Sequence, residues 1–181
     1  ALVKHHAHEN ANAEFGGLVS EAGASCTWAG NSRLNQLTAW SNDPVTDLSG
    51  ETFLLQDLRS GEAWNLGAGG GNANDTSYDV QHEPGLTSIR HQRGALEVSA
   101  TWCVDPLRSL KQLRIVLHNG GSATQRLRLV GMVEWLMGAE RSDRRSVGTA
   151  QARLQVGALT FDVLTATQGD GHAGFGGGTA F

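Results

Sequence analysis

Cysteine is scarce in this chain: Cys26 and Cys103 are the only two in 181 residues. They form no CxxC pair and are too few for a disulfide framework, so two free thiols is the default reading, with a single bridge left open by spacing alone. Long apolar runs are missing as well. No stretch is long enough to cross a bilayer, and no leader peptide is visible before the opening alanine, so the chain reads as an excised segment. Charge is sparse at 18%, and no stretch sustains a 3.6-residue apolar period over three turns, which excludes an amphipathic-helix architecture. A single-sign basic face is absent too. Net charge is −4, with four Lys/Arg against eleven Asp/Glu in residues 1–90 and ten against seven afterwards. That balance argues against nucleic acid as a partner. The basic concentration at Arg126, Arg128, Arg141, Arg144 and Arg145 reads as solvated charge or a contact with a neighbouring domain.

Glycine is abundant, at 24 residues, and short apolar alternations separated by turn residues begin at Phe15. Leu96, Val98, Ala100, Trp102 and Val104 alternate with Glu97, Ser99 and Thr101, giving one buried and one wet face. Leu113, Ile115 and Leu117 repeat the pattern. Asn119-Gly120-Gly121-Ser122 then predicts a tight turn into a return strand carrying Leu127, Leu129, Val133 and Trp135 on one side, with Arg126, Arg128 and Glu134 on the other. Residues 52–56 predict a strand entering a turn at 57–61. A last hairpin runs through Leu154 and Val156, turns at Gly157-Ala158 and returns through Leu159, Phe161 and Val163. Residues 67–74 and 169–178 read as Gly-rich loops. Strands at this spacing predict an all-β, antiparallel two-sheet sandwich. Residues 1–13 read as a polar N-terminal lead-in and residues 14–181 as the sandwich, whose last hairpin sits at an unfinished edge if the domain is truncated at its C-terminal end.

One segment stands apart. Residues 28–45 (WAGNSRLNQLTAWSNDPV) set two indoles, Trp28 and Trp40, around Asn31, Arg33, Asn35, Gln36, Asn42 and Asp43 with almost no aliphatic filler. Neither face would be apolar, which predicts an ordered surface loop rather than a buried strand. An indole packs on the C–H face of a pyranose, and amides and guanidinium groups each direct two hydrogen bonds to neighbouring hydroxyls. Trp28, Asn31, Arg33, Gln36, Trp40, Asn42 and Asp43 are therefore the candidate carbohydrate-binding set. The competing reading is structural: indoles that close the sandwich end, and amides that satisfy their own turns.

The wording of that segment carries a resemblance. Thr27-Trp28-Ala29-Gly30-Asn31-Ser32-Arg33, Asn35-Gln36-Leu37-Thr38 and Trp40-Ser41-Asn42-Asp43-Pro44-Val45 resemble the N-terminal segment of glycoside hydrolase family 94, formerly glycosyltransferase family 36, in the form found in cyclic β-1,2-glucan synthases. Glu14-Phe15-Gly16, Val19-Ser20-Glu21-Ala22-Gly23 and Val133-Glu134-Trp135 with Gly138 agree, so the resemblance spans about residues 12–140. The chain departs from the family wording at Cys26 (usually aromatic), Leu34 (usually Glu) and Ala39 (usually Pro), and no charge-based role is carried over at position 34. The resemblance implies a galactose-mutarotase-like supersandwich that braces a C-terminal (α/α)6 barrel, where the catalytic acid and phosphate-binding residues reside. It implies no catalytic residue and no cofactor in this segment, a β-glucan or oligosaccharide as ligand, and a place on the cytoplasmic side of a membrane enzyme without insertion. Dimerisation is left open.

Other motifs are weaker. Gly169-Asp170-Gly171-His172-Ala173-Gly174 spells GxGxxG, but a dinucleotide site needs a helix to open there, and too little chain follows. Residues 67–71 lack the ending of a P-loop. His5, His6 and His8 read as a mobile tail rather than a fixed metal site. Asp43, Asp47 and Glu51 are the carboxylates near the indole segment; hydrolysis of a glycosidic bond needs a positioned acid and a second carboxylate. No Ser-His-Asp or Cys-His wording appears. Two rival functions remain beside a supporting, non-catalytic one: an independent β-glucan-binding module, and a mutarotase-like epimerase using His118 or His91 with Glu134 as acid and base.

Overall fold

The alternation along residues 96–104 has the physical consequence expected of it. Leu96, Val98, Ala100 and Trp102 are all buried at 2% exposure or less, and they form the centre of a core shared with Val19, Leu55, Trp64, Leu66 and Ile89. The computed structural model describes residues 7–40, 49–69, 76–172 and 176–181. Among these it is almost entirely antiparallel β-structure, as the sequence predicts.

Three sheets are present among the described residues. The largest holds β1 (Ala7–Ala11), β2 (Phe15–Ser20), β3 (Ser25–Ala29), β4 (Gln36–Thr38) and β12 (Trp135–Gly138) in that order. It also holds β5 (Glu51–Asp57), which pairs with β3, β6 (Ala63–Asn65) and β11 (Leu127–Val133). Facing it is a four-stranded meander, β10 (Lys111–Asn119), β9 (Leu96–Val104), β8 (Leu86–Arg93) and β7 (Tyr78–Glu83). The third consists of β13 (Val147–Val156), β14 (Leu159–Gln168) and β15 (Thr179–Ala180). Phe53, Leu113, Ile115 and Leu127 pack on the margin of the core between the first two sheets. No helix among the described residues is long and apolar enough to cross a membrane.

Three local expectations give way to tertiary structure. The sequence predicts a hairpin around residues 119–122, but β11 pairs with β5 along Leu127–Asp57 to Val133–Glu51, not with β10. The Asn119-Gly120 corner makes no positive-φ turn; the Asn119 side chain instead holds Gly121 N–H (3.1 Å) and the Ala123 carbonyl (2.9 Å) and sends the chain across to the other sheet. The predicted lead-in contains β1, which pairs with β2 from Ala7–Ser20 to Ala11–Gly16. A polar strand is stable there because Asn10 is buried and its amide donates to Thr87 Oγ1 (3.3 Å). His8 is therefore strand-borne, and it hydrogen-bonds the Glu83 carbonyl (2.7 Å) and stacks on His82; His5 and His6 lie outside the described residues. Finally, residues 28–40 are not one loop. Trp28 and Ala29 end β3, and β4 returns after a six-residue connection.

The other turns form where glycine predicts them. Gly157 takes φ +62° between β13 and β14, a conformation glycine adopts without steric cost. Gly169–His172 is a turn rather than the opening of a helix, and β15 follows the glycines at 176–178. Both cysteines are free.

Candidate functional site

The strands bring two separate sets of groups together near the predicted segment. Trp28 alternates away from Thr27 and Ala29 on β3, and its ring lies across Gly16 of β2. A Cβ on Gly16 would stand 2.5 Å from Trp28 Cζ2, so the absence of a side chain there makes room for the indole. Trp28 is buried, whereas Trp40 is half-buried and bridges to Ser49. Between them, Asn31 Oδ1 accepts from the N–H groups of Arg33 (2.9 Å) and Leu34 (2.8 Å), which shapes the connection into an Asx turn. Asn31 and Arg33 are exposed and Gln36 is half-buried, its Oε1 accepting from Trp40 N–H (3.4 Å). Asn42, Asp43 and Asp47 lie outside the described residues. The described part of the set thus divides: Trp28 packs on the sheet, while Asn31 and Arg33 present polar side chains to water.

On the opposite face of β3, the sheets part to leave a cleft of about 860 Å³. Its walls come from Phe15, Thr27, Thr38 and Phe53 on one sheet and from Trp102 and Leu113 on the other, with Trp135, Val163 and Phe181 along the margin. Trp135 lies directly opposite Thr38 in the β12–β4 pairing, and the register then shifts before Gly138. Met137 adopts φ +52° within that irregularity. The strained backbone is held by Gln168, whose buried amide donates to the Met137 carbonyl (3.1 Å) and to that of Asp143 (3.2 Å).

At the floor of the cleft sits a buried ion pair. Glu51 Oε2 accepts from Lys111 Nζ (2.7 Å) and Ser25 Oγ (3.0 Å), while Oε1 accepts from Thr38 Oγ1 (2.8 Å) and Thr27 Oγ1. Lys111 Nζ also donates to the Cys26 carbonyl and to Thr27 Oγ1, each at 3.2 Å. Burial works to raise the Glu51 pKa, but the lysine charge and the donors converging on the carboxylate outweigh it and hold the group below its usual range. Glu51 is therefore a fixed anion, and the pair ties β5 of one sheet to β10 of the other. The neighbouring Cys26 thiol is pushed up to about 11, chiefly by burial, and is inert at neutral pH.

His91 and Glu134 are already engaged. His91 Nε2 accepts from Trp64 Nε1 (3.1 Å), and burial, reinforced by Arg93, holds its pKa at about 4. Glu134 pairs with Arg144 (2.6 Å) and Arg141 (3.4 Å), and His118 lies opposite Glu97 in the β9–β10 register. No contact among the described residues joins Glu134 to either histidine. Lys111 and Trp102 were not legible as cleft residues, because they meet Glu51 and Thr27 only across the two sheets, and Trp135 was not, because its place opposite Thr38 depends on a pairing about a hundred positions apart; the ion-paired residues are 60 positions apart.

Residues 6–168 match the glycosyl hydrolase 94 supersandwich domain. The chain belongs to that family. This supersandwich is also similar to the cyclic beta-(1,2)-glucan synthase NdvB of Rhizobium meliloti (strain 1021), at 33% identity over 131 residues. The matched region covers 72% of this chain but 5% of that protein, so the supersandwich spans a small fraction of its relative's length. The Trp28–Gln36 pairing, the Gly16 notch and Glu51 all fall inside the family match.

Proposed function

We propose that this supersandwich is a non-catalytic domain of a cyclic β-1,2-glucan synthase, where it braces a phosphorylase-type catalytic barrel and helps to handle β-glucan chains. The observation that carries the bracing role is the β13–β14 hairpin. Cross-strand pairing puts Leu154 with Phe161 and Val156 with Leu159 on one face, and these four side chains are 46–63% exposed. A contiguous apolar face of this kind marks a surface meant to be covered, and the remainder of a longer parent chain is the occupant proposed here.

The non-catalytic part of the reading draws on Glu51. Glycosidic cleavage needs a carboxylic acid that holds its proton until it meets the leaving oxygen. Glu51 is held in the opposite state, ion-paired and surrounded by donors. Incubating the chain with β-1,2-gluco-oligosaccharides and phosphate is expected to release no glucose 1-phosphate; steady release, abolished by Glu51→Gln, overturns the assignment.

Glucan handling is proposed for the hairpin that ends in the exposed Asn31 and Arg33 and leads to Trp40, with Asn42 and Asp43 beyond it. Trp28 is assigned the packing role and Trp40 the contact with sugar. Calorimetry of Trp40→Ala and Arg33→Ala against linear β-1,2-glucans tests this, with an expected weakening of about tenfold for a lost stacking or charged hydrogen-bonding group. Unchanged affinity in both variants removes the hairpin from the glucan path and leaves the bracing role alone.

A further inference from the structure

A second groove, of about 940 Å³, opens at the end of the sandwich where the β5–β6 turn, the β8–β9 turn and the 120–126 connection meet. It is remote in chain position from the indole segment, and the family match assigns no role to it. Its organising residue is Arg93, which ends β8. The guanidinium carbon stands 4.7 Å from the centre of the Trp64 ring, and Nη2 pairs with Glu62. Trp64 is itself fixed, since it is 4% exposed and its Nε1 donates to His91. Arg93 is therefore held in one plane from below and from one edge. Its Nη1 is buried and has no hydrogen-bond partner in the structure, which is costly for a charged donor. Arg59 and Arg126 line the same groove, exposed and outside any ion pair among the described residues. Asp57 and Gln125 complete its polar wall, and Asp57 commits Oδ1 to the Arg59 N–H (2.7 Å).

The mixture of groups selects the ligand. Inorganic phosphate would suit the arginines, but its charge would meet Asp57 and Glu62 as like charges. A hydroxyl both donates and accepts, so a polyol satisfies guanidinium, carboxylate and amide together. The groove volume lies within the ~300–1,000 Å³ common for small-ligand sites. We infer that this groove is a second, independent subsite for a gluco-oligosaccharide, read by Arg59 and Arg126 as donors and by Asp57 as acceptor, over a floor that Arg93 and Trp64 hold in place. The inference rests on the carbohydrate-handling reading above, but it places binding at the opposite set of loops from the indole hairpin. Two such sites on one rigid domain would hold separated stretches of a single long glucan, raising its effective concentration at each.

The test is calorimetric titration of the full chain with linear β-1,2-gluco-oligosaccharides and, separately, with inorganic phosphate. Arg59→Ala/Arg126→Ala alters only exposed side chains and is expected to weaken glucan binding by about tenfold or more. Should alanine disturb folding, Arg59→Gln/Arg126→Gln repeats the measurement with bulk retained. Loss of affinity in the groove double variant supports the inference whatever the hairpin variants do. Affinity lost in Trp40→Ala or Arg33→Ala but untouched in the groove variant overturns it while upholding the hairpin site. Saturable phosphate binding without glucan binding overturns it in favour of an anion site. No glucan binding by the unaltered chain at millimolar concentration overturns it and leaves only the bracing role.

Discussion

The half of the sandwich centred on β8 and β9 and the half bearing β13 and β14 use the same kinds of side chain, yet they meet water very differently. Ile89, Val98 and Ala100 are completely buried, while Leu159 and Leu164 are 63% and 68% exposed. β9 alternates along its length and β14 alternates from Leu159 to Val163, and both lie in antiparallel ladders. What separates them is a second layer: β9 has residues of β2, β5 and β6 packed over its apolar face, and among the described residues β14 has nothing comparable over its own. Alternation declares which face wants cover, but it does not supply the cover. Stability in this domain should accordingly be concentrated on one side and capacity for association on the other.

The sharpest way to break that comparison is to truncate one side chain in each half. Trp102→Ala is expected to cost about 3–5 kcal/mol, read as a lower denaturation midpoint. Phe161→Ala, at a site already 46% exposed, is expected to cost about 0.5 kcal/mol or less. Equal losses would mean that the hairpin face is sealed in solution.

The Glu51–Lys111 pair joins the two layers, and its loss should be felt almost as strongly. Lys111→Met strands a buried carboxylate and is expected to destabilise the chain by about 3 kcal/mol. Adding Glu51→Gln should recover much of that loss, since the penalty comes from the unpaired charge rather than from a missing attraction. No recovery in the double variant would show that packing of the lysine stem dominates.

Acid should attack the closed half through His91. Burial holds its folded-state pKa at about 4 against an ordinary 6.5, so the unfolded chain takes up the proton first as pH falls. The corresponding stability is complete above pH 6.5 and is lost between 6.5 and 4, by about 3 kcal/mol in all. Glu51, with its pKa lowered, adds to the loss at still more acid pH. Denaturant midpoints measured across this window should fall for the parent chain and stay flatter for His91→Gln.

The smallest effect on stability should come with the largest effect on association. Leu159→Lys interrupts the exposed apolar face at the tip of the hairpin, where the side chain is 63% in water. The midpoint is expected to move by about 0.5 kcal/mol or less, while light scattering at high protein concentration decreases. An unchanged scattering profile would mean that this face is not adhesive.

Reading the sequence went furthest where the physics is local. The buried faces of residues 96–104, the strand predicted at 52–56 and the Gly157 turn depend on neighbours two positions away or on one backbone angle, and all were visible in the order of residues. The hairpin expected at 119–122 failed because turn residues announce a change of direction without naming the partner strand. The N-terminal strand was hidden because its polar residues Asn10 and His8 hydrogen-bond Thr87 and Glu83, some 75 positions downstream. In the candidate site, Trp28 looked like part of an exposed loop; only the notch at Gly16, on the neighbouring strand, turns it inward.

Sequence alone determined that this protein is an antiparallel β-sandwich with a supersandwich-family signature, because period-two alternation and family wording are written in adjacent residues. Only the tertiary structure decided which strands pair, which indole is buried, and where Glu51 finds its lysine and Arg93 its indole. Those outcomes depend on groups tens of residues apart competing for the same space and the same hydrogen bonds, and that competition is settled only when the sheets close.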